Sequence, residues 1–131
     1  MNQPARILLA EDDRILRRAG EVTLRKQGYA VVLAVDGEDA LEKAREHKPD
    51  LILLDVIMPK RGGFEVLALL QDDPETQHIP VIMLSNLGQE SDVQHAVVRG
   101  ARGYLVKSNL APGQLAARIA ETLAKTKKEE P

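Results

Sequence analysis

Acidic side chains follow directly after two apolar runs of this sequence. One run is followed by Glu11, Asp12 and Asp13, and the other is followed by Asp55. A carboxylate beside so many apolar side chains is unfavourable unless its charge is paired or neutralised. Two strands that both end in carboxylates can bring these groups together. Such a cluster would bind a cation and leave one acid for chemistry.

Five short apolar runs alternate with segments of helical periodicity, and these elements must position the acids. The runs are rich in Val, Ile and Leu and are mostly continuous, which is typical of parallel strands covered on both faces. The predicted strands are Ile7–Ala10, Tyr29–Ala34, Leu51–Leu54, Ile79–Leu84 and Tyr104–Val106. End signals place the second helix from Asp36, the third at about Gly63–Leu70, the fourth at about Gly88–Arg99 and the fifth at about Pro112–Lys125.

The first predicted helix, between the first two strands, has an amphipathic pattern. We expect one apolar face, which consists of Ile15, Leu16, Ala19 and Val22. The outward side carries Arg14, Arg17, Arg18 and Glu21. The three arginines are interpreted as a solvated helix face rather than a phosphate site.

The strict alternation of strands and helices predicts right-handed parallel crossovers and an open, doubly wound α/β sheet. In such sheets, ligands bind beyond the carboxyl ends of the strands. Ser85 and Asn86 follow the fourth strand, and Lys107 follows the fifth. We therefore expect these side chains to face the same crevice as the acids.

This set of residue types favours phosphoryl chemistry. Oxygen ligands without sulfur or imidazole select a hard cation, and Mg²⁺ fits best because it leaves room for a phosphate oxygen. Lys107 supplies a point charge and Ser85 a hydrogen bond to the same group. Asp55 would then act as a nucleophile whose attack on phosphorus forms an aspartyl phosphate.

Length and composition exclude several other classes of protein. The chain has 131 residues, about one domain, and its formal charge of −2 indicates neither a nucleic-acid groove nor a membrane surface. Cysteine is absent, no apolar run reaches the roughly 18 residues needed to span a bilayer, and the N-terminus has no signal-peptide pattern. We therefore expect a cytoplasmic protein. Gly62-Gly63 is interpreted as a loop hinge, since the sequence has no phosphate-binding glycine motif.

Four segments in this order make the chain resemble a bacterial response-regulator receiver domain. They are ILLAEDD at 7–13, LLDVIMP at 53–59, IMLSN at 82–86 and GARGYLVK at 100–107. The resemblance covers about residues 5–125, and residues 126–131 are expected to be a polar tail or the start of a linker. It implies a flavodoxin-like fold with five helices and a five-stranded parallel sheet of order 2-1-3-4-5.

The resemblance also implies roles for the acids. Asp55 would accept a phosphoryl group from a phosphohistidine on a histidine kinase or a histidine phosphotransfer protein. Asp12, Asp55 and the backbone carbonyl of Ile57 would bind Mg²⁺ directly, and Glu11 would bind it through water. The acid pair could instead be Asp12-Asp13, but the family places it directly after four apolar residues, which selects Glu11-Asp12.

Further roles follow from the same resemblance. Ser85 and Lys107 would hold the phosphoryl oxygens, and movement of Ser85 would change the rotamer of Tyr104. This pair would switch the surface formed by the fourth helix, the fifth strand and the fifth helix, to which a downstream protein target would bind. We expect no direct contact with nucleic acid or membrane, and a monomer or weak dimer.

The sequence departs from the family pattern at three positions. Lys107 is followed by Ser108 where proline is usual. Ile57 and Leu87 are aliphatic at positions where polar side chains in the family help the water that hydrolyses the phosphate. Since two aliphatic side chains should exclude this water, we expect slow self-dephosphorylation.

Several alternatives remain open from the sequence. Asp55 could simply cap a turn, and one of the three acids after the first strand is expected to cap the first helix. Tyr104 could equally be an ordinary residue at the edge of the core. The chain could be a degenerate receiver that binds proteins without being phosphorylated. An aspartate-nucleophile phosphatase is disfavoured, because Ile57 stands where such enzymes usually carry a second Asp. We expect a phosphorylation switch, with only weak self-phosphorylation and self-dephosphorylation, rather than an enzyme.

Overall fold

Parallel strands and flanking helices alternate along the chain. The structure is a computed structural model that describes residues 3–85, 100–107 and 113–129. The strands are β1 (Arg6–Ala10), β2 (Ala30–Ala34), β3 (Leu51–Asp55), β4 (Val81–Ser85) and β5 (Gly103–Val106). The described helices are α1 (Arg14–Lys26), α2 (Gly37–His47), α3 (Gly63–Asp72) and α4 (Gln114–Glu129).

The five strands form one parallel sheet in the order β2-β1-β3-β4-β5, which confirms the predicted topology. Successive side chains of a strand point to opposite faces, and each face is covered. Leu8 and Ile52 belong to the cluster that includes α2 and α3 residues. Ile7 and Leu53 belong to the cluster that includes Leu24 of α1 and Ile119 of α4. This double cover explains why the strand sequences are continuously apolar.

Two strands differ from their predicted bounds in a way that matters for the site. β3 includes Asp55 and β4 includes Ser85, so these polar residues lie within the sheet register, where Asp55 pairs with Leu84 and Ser85 with Val106. β4 begins at Val81 rather than Ile79, because Ile79 donates its amide to the carbonyl oxygen of Thr76 and the following proline has no amide to donate.

Helix ends follow the predicted capping signals. Asp36 caps α2 by accepting a hydrogen bond from the backbone N–H of Asp39 at 2.8 Å. Asp13 caps α1 by accepting from the backbone N–H groups of Ile15 and Leu16 at 2.9 and 3.0 Å. The capping oxygens satisfy backbone donors that have no partner within the helix.

The predicted burial of α1 is wrong. Ile15, Leu16 and Val22 are 79%, 46% and 37% exposed. The face turned towards the sheet consists of Arg17, Gly20, Glu21 and Leu24, as their lower exposure shows. Gly20 lies so close to β1 that a Cβ there would be 2.7 Å from Cδ2 of Leu9. This close approach, together with the burial of Leu24, sets the rotation of the helix and leaves the apolar stripe outside.

The remaining boundaries differ modestly. α3 extends to Asp72, two residues beyond the prediction, and α4 begins at Gln114 and extends to Glu129, so part of the predicted polar tail is helical. The helix predicted at 88–99 lies outside the described residues. Within the described ranges, no helix is both long enough and apolar enough to cross a bilayer.

Two substitutions test the orientation of α1. Leu24→Ala removes a fully buried side chain, and we expect the free energy of unfolding to fall by about 2–5 kcal/mol. Ile15→Ala removes a solvent-exposed side chain, and we expect a loss below about 1 kcal/mol. Urea denaturation measures both values, and the reverse ranking would show that α1 packs through its apolar stripe.

Candidate functional site

Three strand ends bring a lysine and two carboxylates into contact. Glu11 directly follows β1, Asp55 ends β3 and Lys107 directly follows β5. The ammonium Nζ of Lys107 donates a hydrogen bond to Oδ2 of Asp55 at 2.8 Å and another to Oε1 of Glu11. Glu11 and Asp55 are buried, at 4% and 7% exposure. The predicted convergence of these residues at one edge of the sheet is therefore present in the structure.

Main-chain amides hold the other oxygen of each carboxylate. The N–H of Ile57 donates to Oδ1 of Asp55 at 3.1 Å, and the N–H of Asp13 donates to Oε2 of Glu11 at 3.2 Å. In both cases the amide lies two residues after the acid, and at Asp55 this is the local turn that aspartate side chains favour. Since both oxygens are bonded, the orientation of each carboxylate is restricted.

Burial and charge act on the site in opposite directions. Burial is the main reason why the pKa of Glu11 is raised; Lys107 lowers it, and the carboxylate of Asp55 raises it further. Burial alone would lower the pKa of Lys107, but the hydrogen bonds and charges of Asp55 and Glu11 prevail and raise it. Lys107 therefore remains an ammonium at neutral pH and neutralises part of the acidic cluster.

The acids can also hold a cation. Glu11, Asp12 and Asp55 each offer a carboxylate oxygen, and these oxygens lie within 4.8 Å of one another. Asp12 is exposed whereas its two neighbours are buried, so an ion can reach the cluster from solvent. Asp13 caps α1 instead of joining the cluster. An all-oxygen donor set of this kind suits a hard divalent cation.

The two residues predicted to form the switch lie on adjacent strands. Ser85 is 2% exposed and pairs in register with Val106, which places it beside the strand that leads to Lys107. Tyr104 pairs with Met83 and packs, partly buried, against the apolar cluster on the α2 and α3 side of the sheet. Their proposed coupling stays a prediction.

Of the two residues predicted to control hydrolysis, Ile57 lies within the described residues and Leu87 does not. Ile57 lies in the loop after β3 and is 64% exposed, so its side chain does not pack in the core. Leu87 lies outside the described residues, as do Asn86 and Ser108. The influence of Ile57 and Leu87 on the phosphate lifetime stays a prediction.

Arg17 is a site-supporting residue that the sequence pattern missed. The outward position predicted for it is wrong, because it is half-buried and its guanidinium Nη1 donates to the carbonyl oxygens of Glu11 and Asp12 at 2.9 and 3.2 Å. Arg17 thus holds the backbone that carries the acid pair. Its place one helical turn beyond the acids was the available signal, but it does not distinguish this contact from a solvated arginine.

Replacement of Lys107 tests its role as the internal counter-ion. Lys107→Met leaves two buried carboxylates without their ammonium, and we expect the metal-free protein to lose about 1–3 kcal/mol of unfolding free energy. Added Mg²⁺ is expected to recover part of this loss by neutralising the same acids. Urea denaturation with and without Mg²⁺ measures the effect.

Lys125→Met is the matched control, because Lys125 pairs with Glu121 on the surface, where both side chains are more than half exposed. We expect this variant to lose less than about 1 kcal/mol. Equal stability of Lys107→Met and the wild type without Mg²⁺ would contradict the counter-ion role.

Comparisons with known proteins agree with the fold. The family model described as "Response regulator receiver domain" matches residues 7–120. The transcriptional regulatory protein AfsQ1 of Streptomyces coelicolor is 39% identical over 123 residues, which cover 94% of this chain and 53% of that protein. The response regulator PleD of Caulobacter vibrioides is 42% identical over 103 residues, which cover 79% of this chain and 23% of that protein.

Solved structures show the same similarity. A putative response regulator from Chloroflexus aurantiacus superimposes with a TM-score of 0.86 at 31% identity, covering 92% of this chain and 98% of that one. A CheY-like receiver domain protein from Methanospirillum hungatei superimposes with a TM-score of 0.89 at 25% identity, covering 97% and 99%. The chain spans about half the length of AfsQ1. It belongs to the response regulator receiver domains, which are signalling switches of two-component systems rather than classical enzymes.

Proposed function

We propose that Asp55 is the phosphoacceptor of a two-component phosphorelay. The observation that carries this proposal is the position of its carboxylate at the end of β3, bonded to Lys107 and to the Ile57 amide. Glu11 and Asp12 supply the two further acids beside it. An acid that only capped a turn would leave the adjacent ammonium and the two further carboxylates unexplained, whereas a phosphoryl acceptor with a bound cation uses both.

The donor in this proposal is a phosphohistidine on a histidine kinase or a histidine phosphotransfer protein. One oxygen of Asp55 attacks phosphorus, so that a new P–O bond forms while the P–N bond to the donor imidazole breaks. The electron pair of that bond remains on the imidazole nitrogen. Lys107 stabilises the charge on the transferred oxygens, because its ammonium already lies at the Asp55 carboxylate. Acetyl phosphate would support weak self-phosphorylation by the same attack of Asp55 on phosphorus, with its P–O bond broken and acetate as the leaving group.

Mg²⁺ is the cation that we assign to the acidic cluster. Asp12, Asp55 and the backbone carbonyl of Ile57 would hold it directly, and Glu11 would hold it through water. The close carboxylate oxygens and the absence of sulfur or imidazole in the cluster support this choice. When bound, Mg²⁺ supplies positive charge that reduces repulsion between the carboxylates and a phosphate.

The response to phosphorylation is assigned to Ser85 and Tyr104. Ser85 would bond a phosphoryl oxygen together with Lys107, and its movement would change the rotamer of Tyr104. The adjacent positions of β4 and β5, on which the two residues lie, support this coupling. The surface that responds would consist of the segment at 88–99, β5 and α4, and it would bind a downstream protein target.

An exposed apolar stripe beside the site favours a protein as the donor. Ile15, Leu16 and Val22 lie on the outer face of α1, which begins directly after the acid pair. A contiguous apolar patch of this kind usually marks a contact surface. We propose that the donor contacts this stripe while its phosphohistidine approaches Asp55.

The other assignments concern the setting of the domain. We propose that residues 5–125 form the receiver, that it acts in the cytoplasm as a monomer or weak dimer, and that it contacts proteins rather than nucleic acid. The formal charge of −2 supports the last point for this chain. AfsQ1 is nevertheless a transcriptional regulatory protein, and about half of its length lies outside the match.

Phosphorylation by acetyl phosphate tests the proposed function. We expect incubation with acetyl phosphate and Mg²⁺ to add one phosphoryl group, detected by intact mass spectrometry. Asp55→Asn should abolish the addition, and chelation of Mg²⁺ should suppress it. Ser85→Ala is expected to retain acceptance at a reduced rate, since Asp55 remains in place.

The same experiment distinguishes the two alternatives. A chain that gains no mass would be a degenerate receiver that acts only as a binding module. Turnover of a generic phosphoester would instead indicate an aspartate-nucleophile phosphatase. Addition that survives Asp55→Asn would show that another residue accepts the phosphate.

The lifetime of the phosphate is expected to depend on Ile57. We expect Ile57→Asn to accelerate dephosphorylation several-fold, because a polar side chain there can position the attacking water. Loss of the added mass over time, after removal of the donor, gives the rate.

Ile15→Asn is the control for this prediction, because it makes the same chemical change at an exposed position on α1. Its rate should equal that of the wild type. If the phosphate on the wild type decays as fast as that on Ile57→Asn, aliphatic shielding is not the cause of a long lifetime.

A further inference from the structure

The loop between β3 and α3, residues 56–62, connects the phosphoacceptor to its surroundings. Its residue Ile57 donates the amide hydrogen bond to Oδ1 of Asp55. Val56 and Met58 are each 8% exposed and anchor the loop on the core side. The amide of Val56 donates to the carbonyl oxygen of Leu84 at 3.0 Å. A shift of this loop would therefore move a hydrogen bond that orients Asp55.

Two glycines allow unusually close backbone packing against this loop. A Cβ on Gly37, the first residue of α2, would lie 2.2 Å from the carbonyl oxygen of Arg61. A Cβ on Gly63 would lie 2.2 Å from the carbonyl oxygen of Asp55. Since both obstacles are backbone atoms, no side-chain movement can relieve them. Gly63 is therefore a packing position, and the hinge role of Gly62-Gly63 stays a prediction.

Gly62 has the opposite character, although it lies in the same loop. A Cβ there would meet nothing closer than 3.7 Å. Its φ of −68° is accessible to any residue. Gly62 thus provides a matched position at which the same substitution should be harmless.

Ion pairs join the first turn of α2 to the same loop. Nζ of Lys60 lies 3.5 Å from Oδ2 of Asp36, the residue that caps α2. The guanidinium of Arg61 bonds Glu38 of α2 and, at 2.8 Å, Oε1 of Glu65 of α3. The amide of Gly37 also faces the carbonyl oxygen of Pro59 at 3.4 Å. α2 contributes no residue to the acidic cluster, yet its first turn contacts the loop whose Ile57 amide orients Asp55.

We propose that the first turn of α2, residues 36–39, is a positioning element that holds the β3–α3 loop and thereby sets the cation affinity of the site. The inference rests on the proposed function only in taking Mg²⁺ as the cation. Gly37 brings the helix within contact of the loop backbone, and Glu38 and Asp36 hold its two basic residues. Replacement of a residue that orients a metal ligand without binding the metal commonly lowers the metal affinity by about 10- to 100-fold.

Gly37→Ala is the principal test. We expect its Mg²⁺ dissociation constant, measured by isothermal titration calorimetry well below the unfolding temperature, to rise by about tenfold. The Ile57 amide should also exchange faster with solvent in the metal-free protein, because its bond to Asp55 is weakened. Gly62→Ala should stay within about twofold of the wild type in both measurements.

A stability control distinguishes the proposed positioning role of Gly37 from a purely structural role. Leu24 packs on the opposite face of the sheet from α2, and Leu24→Ala is expected to lower the unfolding temperature. This variant should leave the Mg²⁺ affinity and the Ile57 amide exchange of the folded protein unchanged. If Gly37→Ala behaves like Leu24→Ala, losing stability alone, the positioning role is refuted.

If Gly37→Ala does not fold, Arg61→Met tests the positioning role instead. It removes the exposed pairs with Glu38 and Glu65 and should weaken Mg²⁺ binding by about threefold. Its control is Arg45→Met, which removes the pair with Asp73, away from the loop, and should have no effect. Equal affinities of these two variants would overturn the inference.

The same measurements distinguish failure of this inference from failure of the proposed function. A wild-type chain that binds no Mg²⁺ would contradict the cation assignment. Exchange at the Ile57 amide in Gly37→Ala or Arg61→Met would then still show whether the first turn of α2 positions the loop.

Discussion

The contact of Lys107 with Glu11 and Asp55 is the interaction on which the rest of the site depends. Two carboxylates that are less than 10% exposed repel each other, and an isolated buried charge is strongly unfavourable. The ammonium offsets both effects in the metal-free protein. Because its three members follow or end different strands, the contact forms only when β1, β3 and β5 occupy their places in the sheet. The chemistry and the topology are therefore linked.

Hydrogen bonds from the backbone, together with Lys107, orient the two buried acids. Each buried acid accepts a hydrogen bond from the amide two residues later, and Arg17 holds the carbonyl oxygens of Glu11 and Asp12 from α1. The backbone around the acids is thus held from several sides before any ligand binds. Such preorganisation favours phosphoryl transfer, in which position and charge do most of the catalysis.

Much of this architecture could be predicted because strong local signals agree with it. Apolar runs bounded by polar residues indicated the five strands, and Asp36 marked the start of α2. The acids, Ser85 and Lys107 were placed at strand ends by the same runs. The order of the strands came from the resemblance to receiver domains, since strand pairing depends on contacts far apart in sequence.

The errors arose where backbone packing overrides side-chain pattern. The apolar stripe of α1 suggested burial, but Gly20 and Leu24 turn the opposite face towards β1. The pattern likewise gives no sign that the missing Cβ of Gly63 serves close packing against the carbonyl oxygen of Asp55. Glycine has no side chain to show a pattern, so the close approach that it allows is visible only in three dimensions.

We propose that Asp55 accepts a phosphoryl group beside a cation held by Asp12 and Asp55. The most direct measurement is a crystal structure with Mg²⁺ and beryllium fluoride, which forms a phosphoryl-like adduct on a reactive carboxylate. We expect an adduct on Asp55, Mg²⁺ at the acidic cluster and Lys107 in contact with fluoride. An unmodified Asp55, with Mg²⁺ bound elsewhere and Lys107 still bridging Glu11 and Asp55, would contradict it.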